Sequence, residues 1–195
     1  MDRLKKTLPE LALESVMIVF SVLLALAASS WADAHKEHKL AVQARESFVQ
    51  EVQANRARVM KALPYHRALT DAVLLVDSTG GITSYAAWRH RVPIWSGFAP
   101  PDIASTAWQS ALATGALSRM PFREVASLST VYTLQGRLDT FNAAYLPLFD
   151  FSDPAMSGTV RRMHAYMQTI LSYETTLLRE YDTTLVVLGE LKPSR

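Results

Sequence analysis

Histidine is the side chain whose charge changes nearest neutral pH, and this chain of 195 residues has five. His35 and His38 stand three apart, so on a helix they are neighbours on one face. Two imidazoles are half of a zinc site, which takes three or four protein ligands, and no HExxH pattern or second cluster supplies the rest. Solvated polar residues on a helix face are the simpler reading. His66, His90 and His164 are isolated in sequence, and the plentiful Ser and Asp residues form no nucleophile-elbow pattern. Glu174 and Asp182 share a helix face, where solvent-facing charge accounts for them more simply than a catalytic pair. No GxGxxG, GxxxxGK[ST] or DxDxDG loop is present. Absence of cysteine excludes thiolate catalysis, disulfides and Cys-based metal sites. No catalytic residue, metal or cofactor is therefore expected, and the chain is not expected to be an enzyme.

Contact chemistry is better represented. Val92–Pro101 (VPIWSGFAPP) interleaves Ile94, Trp95 and Phe98 with prolines and a glycine. Irregular segments on a scaffold often carry function, which makes Trp95 and Phe98 the partner-contact candidates. The competing reading, the one favoured here, folds these side chains back as a plug on the end of a helical bundle. Met156, Met163 and Met167 are read as core rather than as a metal-binding stripe.

The element around which these residues must be arranged is Leu11–Trp31 (LALESVMIVFSVLLALAASSW). At the helical rise its length is about 31 Å, the hydrocarbon thickness of a bilayer. Glu14 is its one charged residue and lies near one end, where a carboxylate reaches water cheaply. Trp31 marks the other end as a membrane-interface anchor. Glu14, Ile18, Ser21, Ala25, Ala28 and Ala32 alternate spacings of four and three. From Ser21 on, that seam is made only of small residues, which let helices approach closely in lipid. Glu14, Ser21, Ala25, Ala28 and Ala32 are accordingly the helix-association candidates. A secretory signal peptide is the rival, with Arg3, Lys5 and Lys6 as basic region and Ala32-Asp33-Ala34 as cleavage site. Glu10 and Glu14 stand between those basic residues and the apolar core, which favours a retained anchor.

Glu14, the apolar run interrupted by Ser21, Val22-Leu23-Leu24-Ala25-Leu26, Trp31 and Asp33 together resemble an uncharacterised bacterial family of short single-anchor proteins. Members show Gly-Glu, an aliphatic span containing a glycine, then Asn-Asn-Trp-Asn-Glu. Leu13, Ser21 and Ser29-Ser30 depart from that pattern, and the likeness covers about the first fifth of the chain. It implies an anchor with a helical domain, in the bacterial inner membrane; the family has no established activity, so the likeness supplies architecture and no mechanism.

Lys plus Arg number 20 and Asp plus Glu 18, a net charge of +2. The basic residues are scattered rather than in a stripe, so nucleic acid is not an expected partner. The expected partners are the lipid bilayer and either a second copy or another membrane protein. Arg3, Lys5 and Lys6 before the anchor nearly balance Lys36, Lys39 and Arg45 after it, so sidedness is almost a tie. The short lead and long following domain favour an extracytoplasmic, periplasmic domain.

The expected organisation is a lead over 1–10, the anchor over 11–31 and an all-α domain over 32–195. A stalk helix over 32–63 continues the anchor, in register with Val42, Val49, Val52, Val59 and Leu63, until Pro64 ends or kinks it. Tyr65–Asp77 and Ser84–His90 follow as separate helices. Asp102 or Ser105 caps the next, which Gly115 closes. Pro121 opens a helix of about 122–145. Asp153-Pro154 caps a last one of about 154–191. Together these predict an antiparallel helical bundle. The function expected is a membrane-anchored interaction or scaffold protein, with an extracytoplasmic ligand-sensing bundle that signals through a partner as the alternative.

Overall fold

The computed structural model describes residues 2–151 and 156–191, with side chains over 12–151 and 158–191. Among the described residues the chain is helical and has no strand. Contacts divide it into two compact units, Met1–Gln43 and Ala44–Arg195.

The first unit is the N-terminal part of helix α1, which spans Asp2–Thr79. Helix begins within the expected lead, so Pro9 falls inside α1 rather than in its first turn. Over 12–31 every side chain is exposed. The large hydrophobic residues from Leu13 to Leu26 are between 53% and 65% exposed, on all sides of the helix. A helix that is apolar all round is normally a buried one or a membrane span, and no described residue of this chain covers it. The stretch is one helical segment long and apolar enough to cross a membrane.

In the second unit α1 continues through Pro64 to Thr79, so the expected break at Pro64 and the separate helix over 65–77 are corrected. Proline removes the hydrogen bond to the carbonyl four residues back, that of Met60. Both residues are exposed, so water can take the freed carbonyl. On the opposite side Val59, Leu63, His66, Leu69 and Val73 form one unbroken buried line. Burial on both sides of the proline holds the helix against a cost of about 3 kcal/mol. Of the inward residues expected, Val52, Val59 and Leu63 are buried. Phe48 and Asn55 are also buried, whereas Val42 is exposed and Val49 half-buried. Gly80, at a left-handed φ of 63°, ends α1 by donating its N–H to the Val76 carbonyl at 3.0 Å.

Helix α2 (Tyr85–Arg91) is capped by Ser84, whose Oγ accepts from the Ala87 N–H at 3.2 Å, and it buries Trp88 completely. Helix α3 (Thr106–Thr114) ends at Gly115, φ 70°, as expected. Helix α4 (Phe122–Tyr145) starts directly after Pro121 and closes in a tight turn containing Pro147. Helix α5 (Met156–Val187) stops short of Leu191. The expected Asp153-Pro154 cap lies outside the described residues, as does the Met156 side chain. Met163 and Met167 are fully buried.

Pairs between helices give their directions. Arg56, His66 and Asp77 of α1 meet Asp182, Glu174 and His164 of α5, so these two run oppositely. Ser127, Gln135 and Asn142 of α4 meet Thr184, Tyr181 and Tyr166 of α5, again oppositely. Arg45 and Glu51 of α1 meet Glu124 and Tyr132 of α4 in the same order, so α1 and α4 run parallel. The core lies along these three helices, with α2, α3 and the 92–105 connection packed on it.

Candidate functional site

The apolar line of α1 is interrupted by polar residues at core positions, and these collect the polar structure of the second unit. Glu51, Asn55, Tyr65 and His66 all bind the backbone of the irregular connection or of α3. Asn55 grips Ala104 with both amide atoms, Nδ2 donating to the Ala104 carbonyl at 2.7 Å and Oδ1 accepting from its N–H at 3.0 Å. Glu51 accepts from the Ala107 N–H at 3.0 Å and from the Tyr132 hydroxyl at 2.7 Å. Ser105 occupies the position before α3 but makes no side-chain cap bond. The capping carboxylate thus comes from another helix, which corrects the expectation of Asp102 or Ser105. Burial and the Glu51 carboxylate together push the Tyr132 hydroxyl far above its ordinary pKa, so it remains a donor. Tyr65 donates to the Gly97 carbonyl at 2.6 Å and accepts from the Ser96 N–H at 3.1 Å.

His66 is fully buried between two acceptors. Its Nδ1 lies 2.6 Å from Glu174 Oε1, and its Nε2 lies 2.8 Å from the Phe98 carbonyl oxygen. A carbonyl can only accept, so Nε2 carries hydrogen and donates to Phe98. Burial alone lowers the pKa of the imidazole. The Glu174 hydrogen bond and charge outweigh it, aided by backbone bonds at Phe98 and Ala99, and leave the pKa raised above 6.5. With Nε2 donating to Phe98, the Glu174 carboxyl holds Nδ1 and favours the protonated form of the ring. Glu174 is also fully buried, which corrects its reading as solvent-facing charge. Glu174 occupies a core position of α5, and its partner stands opposite on α1. Asp182 is half-exposed and bonds Arg56 instead, at 2.6 Å. Sealed from solvent, the His66–Glu174 pair can fasten the connection at Phe98, and no small molecule reaches it. Beside it Ala99 holds a left-handed φ of 47°, a conformation that a residue with a side chain keeps only where its surroundings impose it.

Trp95 and Phe98 do not stand out from the surface. Trp95 is buried against Trp88 at 5.8 Å and Phe98 at 5.1 Å between ring centroids. Phe98, half-buried, packs on Phe149 at 4.5 Å and Tyr166 at 4.8 Å. This is the plug arrangement. Ile94 alone of the three apolar residues is exposed. His164 faces Asp77 at 3.6 Å, and His90 is exposed.

In the first unit Glu14, Ser21, Ala25, Ala28 and Ala32 lie along one side of α1, all exposed. The Ser21 hydroxyl donates to the Met17 carbonyl at 2.8 Å, so its proton is spent within its own helix and its contribution to the seam is small size. Trp31 is 73% exposed and stacks on His35, with centroids 5.9 Å apart. His35 and His38 are exposed, and no group of three His, Asp or Glu fit to hold a metal occurs among the described residues. Glu51, Asn55 and the buried role of Glu174 escaped the sequence reading. Their signal was register. Glu174 is the acid in the line Met167, Ile170, Leu177, Tyr181, and Asn55 the amide between Val52 and Val59.

No family model, curated protein or solved structure matches this chain.

Proposed function

We propose that this chain is a membrane-anchored helical interaction or scaffold protein, held by residues 11–31 in a bacterial cytoplasmic membrane and without catalytic activity of its own. One observation carries the reading. An apolar helical stretch of membrane-crossing length has every side chain over 12–31 exposed among the described residues. Lipid covers such a surface, and its line of small residues offers a second helix a close approach. The partner is a second copy or another membrane protein meeting that seam. The bulk of the chain lies on the outer side, and the likeness of residues 13–33 to a single-anchor bacterial family supports the same architecture. The second unit is a helical body whose irregular connection is tied down from α1, as suits a fixed docking platform.

The test is membrane retention and topology of the full chain. Intact mass should show residues 11–31 present, alkaline extraction should leave the protein in the membrane, and a reporter after Arg195 should be active outside the cell. A mature chain lacking 11–31 overturns the anchor and its seam together. A reporter active inside overturns the outward placement of the second unit.

A further inference from the structure

Between the C-terminal half of α4 and the N-terminal half of α5 lies a recess of about 180 Å³, walled by Phe141, Tyr145, Leu148, Phe149 and Tyr166, with Arg162 beside them. The rings brace one another. Phe141 stacks on Tyr145 at 4.4 Å and on Tyr166 at 5.5 Å, and Phe149 meets Tyr166 edge-on at 5.4 Å. Two hydroxyls that line the recess are already used. Tyr166 donates to Asn142 Oδ1 at 2.8 Å, and Thr169 donates to the Ala165 carbonyl at 3.0 Å. Arg162 is the charged group of the lining, and no acidic side chain among the described residues lines the recess with it. Its Nη2 donates to Thr159 Oγ1 at 3.0 Å, one of the five N–H donors a guanidinium carries.

We propose that this recess binds a small monocarboxylate whose apolar body, a single ring or short chain, lies against the aromatic wall while Arg162 takes the carboxylate. Size sets the body, since a cavity of about 150 Å³ accommodates a benzene-sized molecule. Charge sets the head. A cation would meet Arg162 with no acid to balance it, and a neutral polar group would forgo the stronger, charge-assisted hydrogen bonds that a carboxylate makes with the guanidinium fork. Phe149 and Tyr166 also contact Phe98, the residue whose carbonyl His66 holds, so an occupant would press on the plugged connection. The site fits a ligand-sensing role and is independent of self-association, so failure of either leaves the other standing.

The test uses the full chain in zwitterionic lipid nanodiscs, with para-fluorophenylacetate followed by fluorine NMR and empty nanodiscs as blank. Saturable broadening is expected with the protein. Arg162→Gln, at an exposed position, should weaken it about tenfold or more. Ala165→Leu should abolish it by filling the recess, with helical circular dichroism unchanged. The para-fluorobenzyl alcohol and amine should bind about tenfold more weakly than the acid. Lack of saturable broadening, or equal broadening in empty nanodiscs, overturns the proposal. So does undiminished binding by Arg162→Gln, by a folded Ala165→Leu variant, or of the amine.

Discussion

Removing either His66 or Glu174 strands the other in a place water does not reach. His66→Leu should cost about 3–5 kcal/mol, because a buried carboxylate loses its counter-charge. Replacing both residues by leucine should return stability to within about 1 kcal/mol of the parent, since paired buried charges contribute little beyond their own desolvation. Thermal unfolding of the singles and the double checks this, and a double variant as weak as His66→Leu would count against the pair. The pH dependence has a definite sign. The folded pKa of His66 is raised above 6.5, so the pair's contribution is whole below 6.5 and is lost as pH rises through the folded value. The melting temperature of the parent should therefore fall relative to the double-leucine variant as pH rises above about 6.5. A difference that is flat or grows would refute the assignment of the proton to His66. Neither partner was legible as such. A lone acid on a helix reads as solvated unless its register with Ile170 and Leu177 is counted, and the match to His66 is a tertiary fact 108 residues away in sequence.

At the scale of elements, the helices of the second unit were legible wherever a local cap or breaker marked them. Gly115 closes α3, and Pro121 precedes α4. Local rules failed where packing opposed them. Pro64 carries a strong breaking preference, yet α1 passes through it because Leu63, His66 and Leu69 are buried in the same core as Val59. At Ser105 the local cap is idle because Glu51 reaches Ala107 from α1. If packing alone holds the helix at Pro64, the missing hydrogen bond remains as a cost. Pro64→Ala should then stabilise the full chain by about 1–3 kcal/mol, below the full proline penalty because the unfolded chain also gains freedom. A raised melting temperature in detergent is the expected reading. A fall would mean that the proline ring is itself part of the packing.

At the scale of the molecule, the two units follow different solvents. Among the described residues of Ala44–Arg195 a core of apolar side chains packs together, with Phe48, Trp88, Met167 and Tyr181 among the most buried. Over 12–31 they turn outward on all sides, so hydropathy alone made that stretch legible. The seam reading has a consequence in the membrane. Without a hydrophobic drive between helices in lipid, close backbone approach at small residues is what favours association, and bulk placed there removes it. Ala25→Leu with Ala28→Leu should therefore reduce the dimer fraction of the full chain in lipid, by about tenfold in the association constant. Ala27→Leu makes one such change away from the seam and should leave association unchanged, while Ala25→Leu alone should already weaken it. Crosslinking or single-molecule photobleaching at low protein-to-lipid ratio reads each of them. If the paired variant and the Ala27 variant behave alike, these alanines do not meet a second copy, and the covering partner of α1 is to be sought on another face.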